Sequence, residues 1–304
     1  MLKKTIEKIE KLKKQNNAVI LAHNYQLPEI QDIADLLGDS LDLAKKATKT
    51  DAENIIFCGV DFMAESAKIL NPEKNVIIPD IHAKCPMAAM VNQKNLIQLK
   101  QKHPDAEVVA YINTTAEIKA LSDICCTSSN GVKIVKSINS KKIIFIPDQN
   151  LGNYIRKQVE NKEIIIWPGF CATHHNIRKT DILKLKKEYP NAEVLVHPEC
   201  RMEVIEISDH VFSTNGMVNH VRNSDKKEFI IVTEKELCYR LKKENPNKNF
   251  YPVKSAVCPN MKKITLDKVL NSLESLKPKI VLSDDIMEKA YKPLKRMMDI
   301  GRGD

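Results

Sequence analysis

One cysteine returns at an almost constant interval along the 304-residue chain: Cys85 and Cys171 are 86 residues apart, and Cys171 and Cys258 are 87 apart. A chain that repeats at this interval is built from copies of one unit, and three units near one hundred residues each match the domain count that this length suggests. The same interval relates HPDAEVVAYIN at 103–113 to YPNAEVLVHPE at 189–199, where four of eleven positions are identical and the apolar run falls in the same place. Each recurring cysteine follows a short apolar, strand-like run and a turn: NVIIPDIHAKC, EIIIWPGFC and FYPVKSAVC. Equivalent cysteines from three equivalent units can meet on a pseudo-threefold axis. The other five, at 58, 125, 126, 200 and 238, have no partner at this spacing. No two of the eight form a C-x-x-C pair, which removes zinc ribbons, thioredoxin-like dithiols and the ferredoxin run. Without a secretory signal the remaining thiols are expected to be buried and idle rather than disulfide-bonded.

Further triplets follow when the strand ends are aligned, with steps of 88 and then 86 residues. His23, Tyr111 and His197 correspond, as do Tyr25, Asn113 and Glu199, and then Ser40, Ser128 and Thr214. In each unit the first two positions are spaced i, i+2 at the end of an apolar strand (VILAHNY, VVAYIN, VLVHPE), so both side chains project to one face. Pro198 holds His197 extended and supports that direction. Polar groups at the carboxyl ends of strands are where open α/β sheets place ligands. The third triplet lies in small-residue loops, GDS, TSSNG and STNGM, each leading into a helical pattern. A single such hydroxyl reads as an ordinary helix cap; recurrence in all three units favours a carboxylate- or phosphate-binding role.

Short apolar runs alternate with helical patterns such as 61–71, 88–102 and 234–244. The expectation is an α/β fold of three pseudo-threefold-related αβα three-layer domains with parallel sheets. The units are placed at 1–85, 86–171 and 172–258, with 259–304 joining the first. Hydrophobic content of 43% with 29% charged residues is a globular balance, and no run approaches the roughly 18 apolar residues of a membrane span. Leu2, Ile6, Ile9 and Leu12 sit at helical spacing among lysines, so the opening segment reads as an amphipathic helix of a cytoplasmic protein, not a signal peptide. The net charge of +9 raises nucleic acid as a partner, but the lysines are dispersed, aromatics are 5%, and no nucleic-acid motif is present. A dispersed basic surface suits steering of small polyanionic substrates. Dinucleotide, P-loop and zincin signatures are absent. The closing GRGD resembles an adhesion motif and is expected to be a frayed tail.

Three cysteines on an axis could hold zinc with a water, or a [4Fe–4S] cluster with one iron lacking a protein ligand. The residues themselves leave that choice open. The chain resembles the quinolinate synthase family from residue 19 to near 299, through AHNYQLPEIQDIADLLGDSLDLA, FCGVDFMAESAKILNPEK, YINTTAEIKALSDICCTSSNGV, HPEC and STNGM in that order. The resemblance implies three related αβα domains in a triangle around a [4Fe–4S] cluster held by Cys85, Cys171 and Cys258, with the fourth iron binding substrate. It implies condensation of iminoaspartate with dihydroxyacetone phosphate, releasing phosphate and two waters, for NAD synthesis. Ser40, Ser128 and Thr214 would hold anionic ends, with Asn113 and His197 adding hydrogen bonds. Tyr25, Tyr111, His23 and Glu199 would serve proton transfer and enolisation, and His174, three residues beyond Cys171, would face the substrate. The instability of iminoaspartate implies an L-aspartate oxidase or aspartate dehydrogenase that supplies it.

One departure concerns regulation. Some members carry C-x-x-C-x-x-C ending at the third ligand; here the upstream positions are Pro252 and Ser255, so no thiol switch is expected there. Cys125 and Cys126 are expected to pack near the Ser128 loop, and His175 to be ordinary. Other classes remain: diphthamide-type radical enzymes or isoprenoid diphosphate reductases, which also use three cysteines, and a non-enzymatic iron–sulfur carrier.

Overall fold

The architecture follows from strands that are apolar on both faces. Residues 2–304 are described by a computed structural model. Runs such as Asn54–Cys58 (NIIFC) are buried at every position, which suits parallel strands covered by helices on both sides. Twelve strands among the described residues form three four-stranded parallel sheets. The first contains β1 (Ala18–His23), β2 (Leu36–Gly38), β3 (Asn54–Cys58) and β4 (Asn75–Ile77) in the order β2-β1-β3-β4. The second contains β5 (Ala106–Tyr111), β6 (Ile124–Cys126), β7 (Lys142–Ile146) and β8 (Glu163–Ile166) in the order β6-β5-β7-β8. The third contains β9 (Glu193–Val196), β10 (His210–Val211), β11 (Glu228–Val232) and β12 (Asn249–Pro252) in the order β10-β9-β11-β12. The three topologies are the same, and the expected α/β class with three αβα layers is observed.

The repeat extends to single hydrogen bonds. In each sheet an aspartate just before the edge strand accepts from a backbone N–H of the central strand: Asp35 from Ile20 at 2.8 Å, Asp123 from Val108 at 2.7 Å and Asp209 from Val194 at 2.8 Å. The same three aspartates donate their own N–H groups to the Ile20, Val108 and Val194 carbonyls, each at 3.0 Å. This reciprocal pair satisfies backbone groups that the short edge strand cannot reach.

Two helices begin later than their apolar pattern suggests. The 88–102 pattern resolves into a 3₁₀ turn at Pro86–Met90 and a helix at Gln93–Lys102, because the Asn92 side chain accepts from Asn95 N–H and caps a fresh start. The 234–244 pattern is helical only from Leu237, which leaves Glu234 in the loop. The closing segment serves two units. Leu266–Ser275 lies against Leu2–Gln15, while Asp284–Ile300 packs on Ala116–Ala120 and β6 as well as on Asp61–Leu70. Arg296 fastens that last helix through a 2.6 Å bond to the Asp123 carbonyl.

Replacing Asp209 with alanine leaves the Val194 N–H of a central strand without its acceptor. The expected cost is about 1–3 kcal/mol of stability, read from the denaturant midpoint, with Asp35→Ala and Asp123→Ala similar.

Candidate active site

Because the three sheets share one topology and their strands run parallel, the carboxyl end of each central strand delivers the same two positions. His23 closes β1 and Tyr25 follows; Tyr111 closes β5 and Asn113 follows; His197 and Glu199 follow β9. All six line a single cavity, together with Cys85, Cys171, Cys258, His174, Ser40, Ser128 and Thr214. Every candidate named from the sequence therefore faces one space.

The cysteines are presented alike. Cys85 and Cys171 sit immediately before the short helical turns Pro86–Met90 and Ala172–His175, and Cys258 precedes the turn that enters Met261–Lys263. Each backbone N–H donates to a carboxylate: Cys85 to Asp61 at 3.1 Å, Cys171 to Asp148 at 3.0 Å and Cys258 to Glu234 at 3.2 Å. Backbone N–H groups of the following turn reach each sulfur, from Ala88 and Met87, from His174, and from Met261 and Asn260. Burial outweighs those donors. It pushes the Cys85 thiol up to about 12 and raises Cys171 and Cys258 as well. A trio of partly buried cysteines, each with preset N–H donors to sulfur, is ionised readily only when a cation shares the cavity, and that donor set fits a metal group.

A buried polar chain adjoins the sulfurs. The Tyr25 hydroxyl lies 2.6 Å from Thr233 Oγ1, which lies 2.8 Å from His174 Nε2. On its other side His174 Nδ1 is 2.6 Å from Glu199 Oε2 and 3.2 Å from Cys171 Sγ. His197 stacks on His174 with ring centroids 4.6 Å apart, and the His23 ring meets Tyr25 edge-on at 4.5 Å.

A family model described as quinolinate synthetase A protein matches residues 7–299. The chain belongs to the quinolinate synthase family. It is 54% identical over 301 residues to the quinolinate synthase of Thermodesulfovibrio yellowstonii, with 99% of each chain covered. Over 301 residues it is 52% identical to that of a Sulfurihydrogenibium species, covering 97% of this chain and 98% of the relative. The Aquifex aeolicus quinolinate synthase is 50% identical over 305 residues, with 98% and 95% covered. Members of the family are enzymes, and so is this chain.

Electrostatics sort the polar residues of this family member. Burial would raise Glu199, but the facing His174 and His197 imidazoles and hydrogen bonding from His174 and Tyr111 hold it well below the usual carboxylate range. Burial raises Tyr25 and Tyr111 well above the ordinary phenol value, and the Glu199 charge adds to it. Burial also lowers His23 to about 4 and His197 to about 3, against the opposing pull of Asp39 and Glu199. At neutral pH the cavity thus holds an anionic Glu199, protonated phenols and two uncharged imidazoles.

In two of the small-residue loops the helix cap is the residue before the hydroxyl singled out from the sequence. The caps are Asp39, which accepts from Asp42 N–H, and Ser213, which accepts from Gly216 N–H. Ser40 and Thr214 are one residue further on, at the first helical positions, so neither hydroxyl is the cap. Ser128 stands three residues before the helix Gly131–Ser137. Thr214 Oγ1 accepts from Asn24 of the first unit at 2.8 Å. Cys125 and Cys126 are buried in β6, and His175 packs against Phe170 at 4.5 Å. Among the described residues all eight cysteines are unpaired, and no helix is long and apolar enough to cross a membrane.

Two groups escaped the sequence reading. Asp61, Asp148 and Glu234, which bond the cysteine N–H groups, recur at intervals of 87 and 86 residues, so the period could have found them. Thr233, the link between Tyr25 and His174, has no counterpart with a hydroxyl at the matching positions Val60 and Pro147, and no pattern announces it.

The two neutral histidines set an acid limit. Unfolded imidazole takes up protons near 6.5, whereas the folded chain resists protonation down to about 4 at His23 and about 3 at His197. Their contribution is complete above about pH 6.5 and is lost as pH falls to about 4 for His23 and about 3 for His197. Urea midpoints measured from pH 7 to 4 should fall, and His197→Gln should make that fall shallower.

Proposed function

We propose that this chain condenses iminoaspartate with dihydroxyacetone phosphate to quinolinate, releasing phosphate and two waters. The observation that carries the reading is the meeting of three equivalent cysteines and three register-matched strand-end pairs around one cavity. Family membership supports the product, and the side chains supply what the chemistry requires.

Cys85, Cys171 and Cys258 would hold a [4Fe–4S] cluster. One zinc held by three thiolates at about 2.3 Å needs sulfurs about 3.8 Å apart. Among the described residues the groups of three metal-capable side chains within 4.8 Å of one another are Cys171–His174–Glu199 and Glu193–His210–His220, so the three sulfurs do not all approach that closely. The wider spacing favours a multi-iron group over a single ion. When bound through three thiolates, such a cluster supplies a Lewis-acidic iron that eases departure of a hydroxyl.

The protein does the remaining work. Ser40, Ser128 and Thr214 anchor the phosphate and carboxylate ends at three loop-to-helix junctions, with Asn113 and His197 donating further hydrogen bonds. Glu199 fixes the His174 ring by accepting from Nδ1–H, which leaves Nε2 toward Thr233 and Tyr25. A proton leaving the substrate carbon can pass through the Tyr25 hydroxyl and Thr233 to His174, whose positive charge Glu199 then neutralises. Tyr111, protonated, gives its one hydroxyl hydrogen to Glu199 at rest and would turn it from there to a developing oxyanion. His23 holds the Tyr25 ring in place through its edge-on contact.

The test is anaerobic purification, reconstitution with iron and sulfide, and assay with freshly generated iminoaspartate and dihydroxyacetone phosphate. Formation of the pyridine ring that depends on about four irons and four sulfides per chain is the expected result; a loaded protein that transfers its cluster but forms no ring would be a carrier. Serine at Cys85, Cys171 or Cys258 should remove the iron-dependent visible absorption. Tyr25→Phe and Glu199→Gln should keep that absorption and lose about a hundredfold or more of turnover.

A further inference from the structure

The closing residues Gly301–Asp304 are not frayed. Gly301 leaves the last helix at φ 73°, a positive-φ conformation that glycine adopts without strain, and directs the chain to a point where all three units meet. There Arg302 reaches Asp39 of the first unit at 2.8 Å and Ser213 Oγ of the third at 2.8 Å, while Asp304 accepts from the Ser213 N–H at 2.8 Å. The second unit is tied by Gly303 N–H to the Ser129 carbonyl at 2.8 Å, and by Asn130 to the Gly301 carbonyl at 3.0 Å. The strap holds itself together through a 2.9 Å Arg302–Asp304 pair. Asp39 and Ser213 are buried, so the guanidinium is not screened like a surface ion pair.

The partners are the sequence neighbours of the three anchors: Asp39 precedes Ser40, Ser129 follows Ser128, and Ser213 precedes Thr214. The fit is backbone-close. A Cβ at Gly303 would stand 3.0 Å from the Ser129 carbonyl oxygen, and one at Gly216 would press on the Asp304 carboxylate. One four-residue segment thereby bonds all three anchor loops at once.

We propose that Gly301–Asp304, through Arg302, is a positioning clamp that sets the spacing of Ser40, Ser128 and Thr214 and thereby the affinity of the site for a substrate with widely separated anionic ends. The clamp acts through the loops that touch substrate. It rests on the proposed reaction, so the tests separate the two.

Arg302→Ala, Arg302→Lys and Gly303→Val are compared with the unaltered chain, all reconstituted with iron and sulfide. Arg302→Ala should raise KM for dihydroxyacetone phosphate about tenfold or more, in line with loss of charge-assisted bonds, while kcat moves about threefold at most and the visible absorption is kept. Lysine, which restores charge without the two-pronged geometry, should fall between. Gly303→Val, which keeps every charge but forces the strap off Ser129, should act in the same direction as Arg302→Ala. Calorimetry with inorganic phosphate provides a readout independent of turnover, and its affinity should weaken in parallel. Unchanged KM and phosphate affinity in both the Arg302→Ala and Gly303→Val chains would overturn the clamp. So would equal loss of kcat, absorption and thermal stability without a KM shift, which is the mark of a merely structural strut. If the unaltered chain binds phosphate but forms no quinolinate, the proposed reaction fails and the clamp is judged on phosphate affinity alone; if it binds no phosphate either, both fail.

Discussion

Parallel strand pairing is the constraint on which the rest depends. In a parallel sheet every strand ends at the same edge, so residues distant in sequence but close to strand ends are gathered without any special contact between them. Here that rule operates three times with one topology, and the three edges face a common cavity. The aspartate just before each edge strand bonds the central strand through both its carboxylate and its N–H, so the two strands are tied at the same point in all three sheets.

Burial then decides what those side chains can do. The same low-dielectric surroundings raise the thiols and phenols and lower the two imidazoles, so most of the cavity is uncharged until a ligand or metal arrives. Glu199 is the exception, because two imidazoles and a phenol surround one carboxylate. A single anion so placed can fix a histidine and neutralise a proton passing through it. The carboxylates behind the cysteines act differently, since they bond backbone N–H groups and so position the turns that present sulfur.

Much of the fold and site was legible in residue order because repetition is a signal that survives without a second sequence. The interval near 86 selected Cys85, Cys171 and Cys258 from eight cysteines and aligned the strand-end pairs. The resemblance to the family added roles for Tyr25, Glu199 and His174. Less legible were features that break the period. Thr233 joins the hydrogen-bonded chain between Tyr25 and His174 in one unit only, and the segment that carries Arg302 lies outside the repeats altogether. The latter reads as a flexible tail by composition, since Gly and Asp at the end of a helix promise little order; its partners lie on loops about 90 to 260 residues away and cannot be paired to it by any local rule. The shortened helices at Gln93 and Leu237 have the same origin, as side-chain caps and loop duties override an apolar periodicity that continues past them.

The sequence by itself determined the number of units, their α/β character and the residues that recur at strand ends, because periodicity and alternation are local properties written directly in residue order. Only the tertiary structure decided which of those residues share a hydrogen bond, that the three cysteines line one cavity, and that the closing segment bonds the loops beside Ser40, Ser128 and Thr214. Those facts depend on the relative placement of three sheets, and that placement is set by packing between units that leaves no periodic mark on the chain.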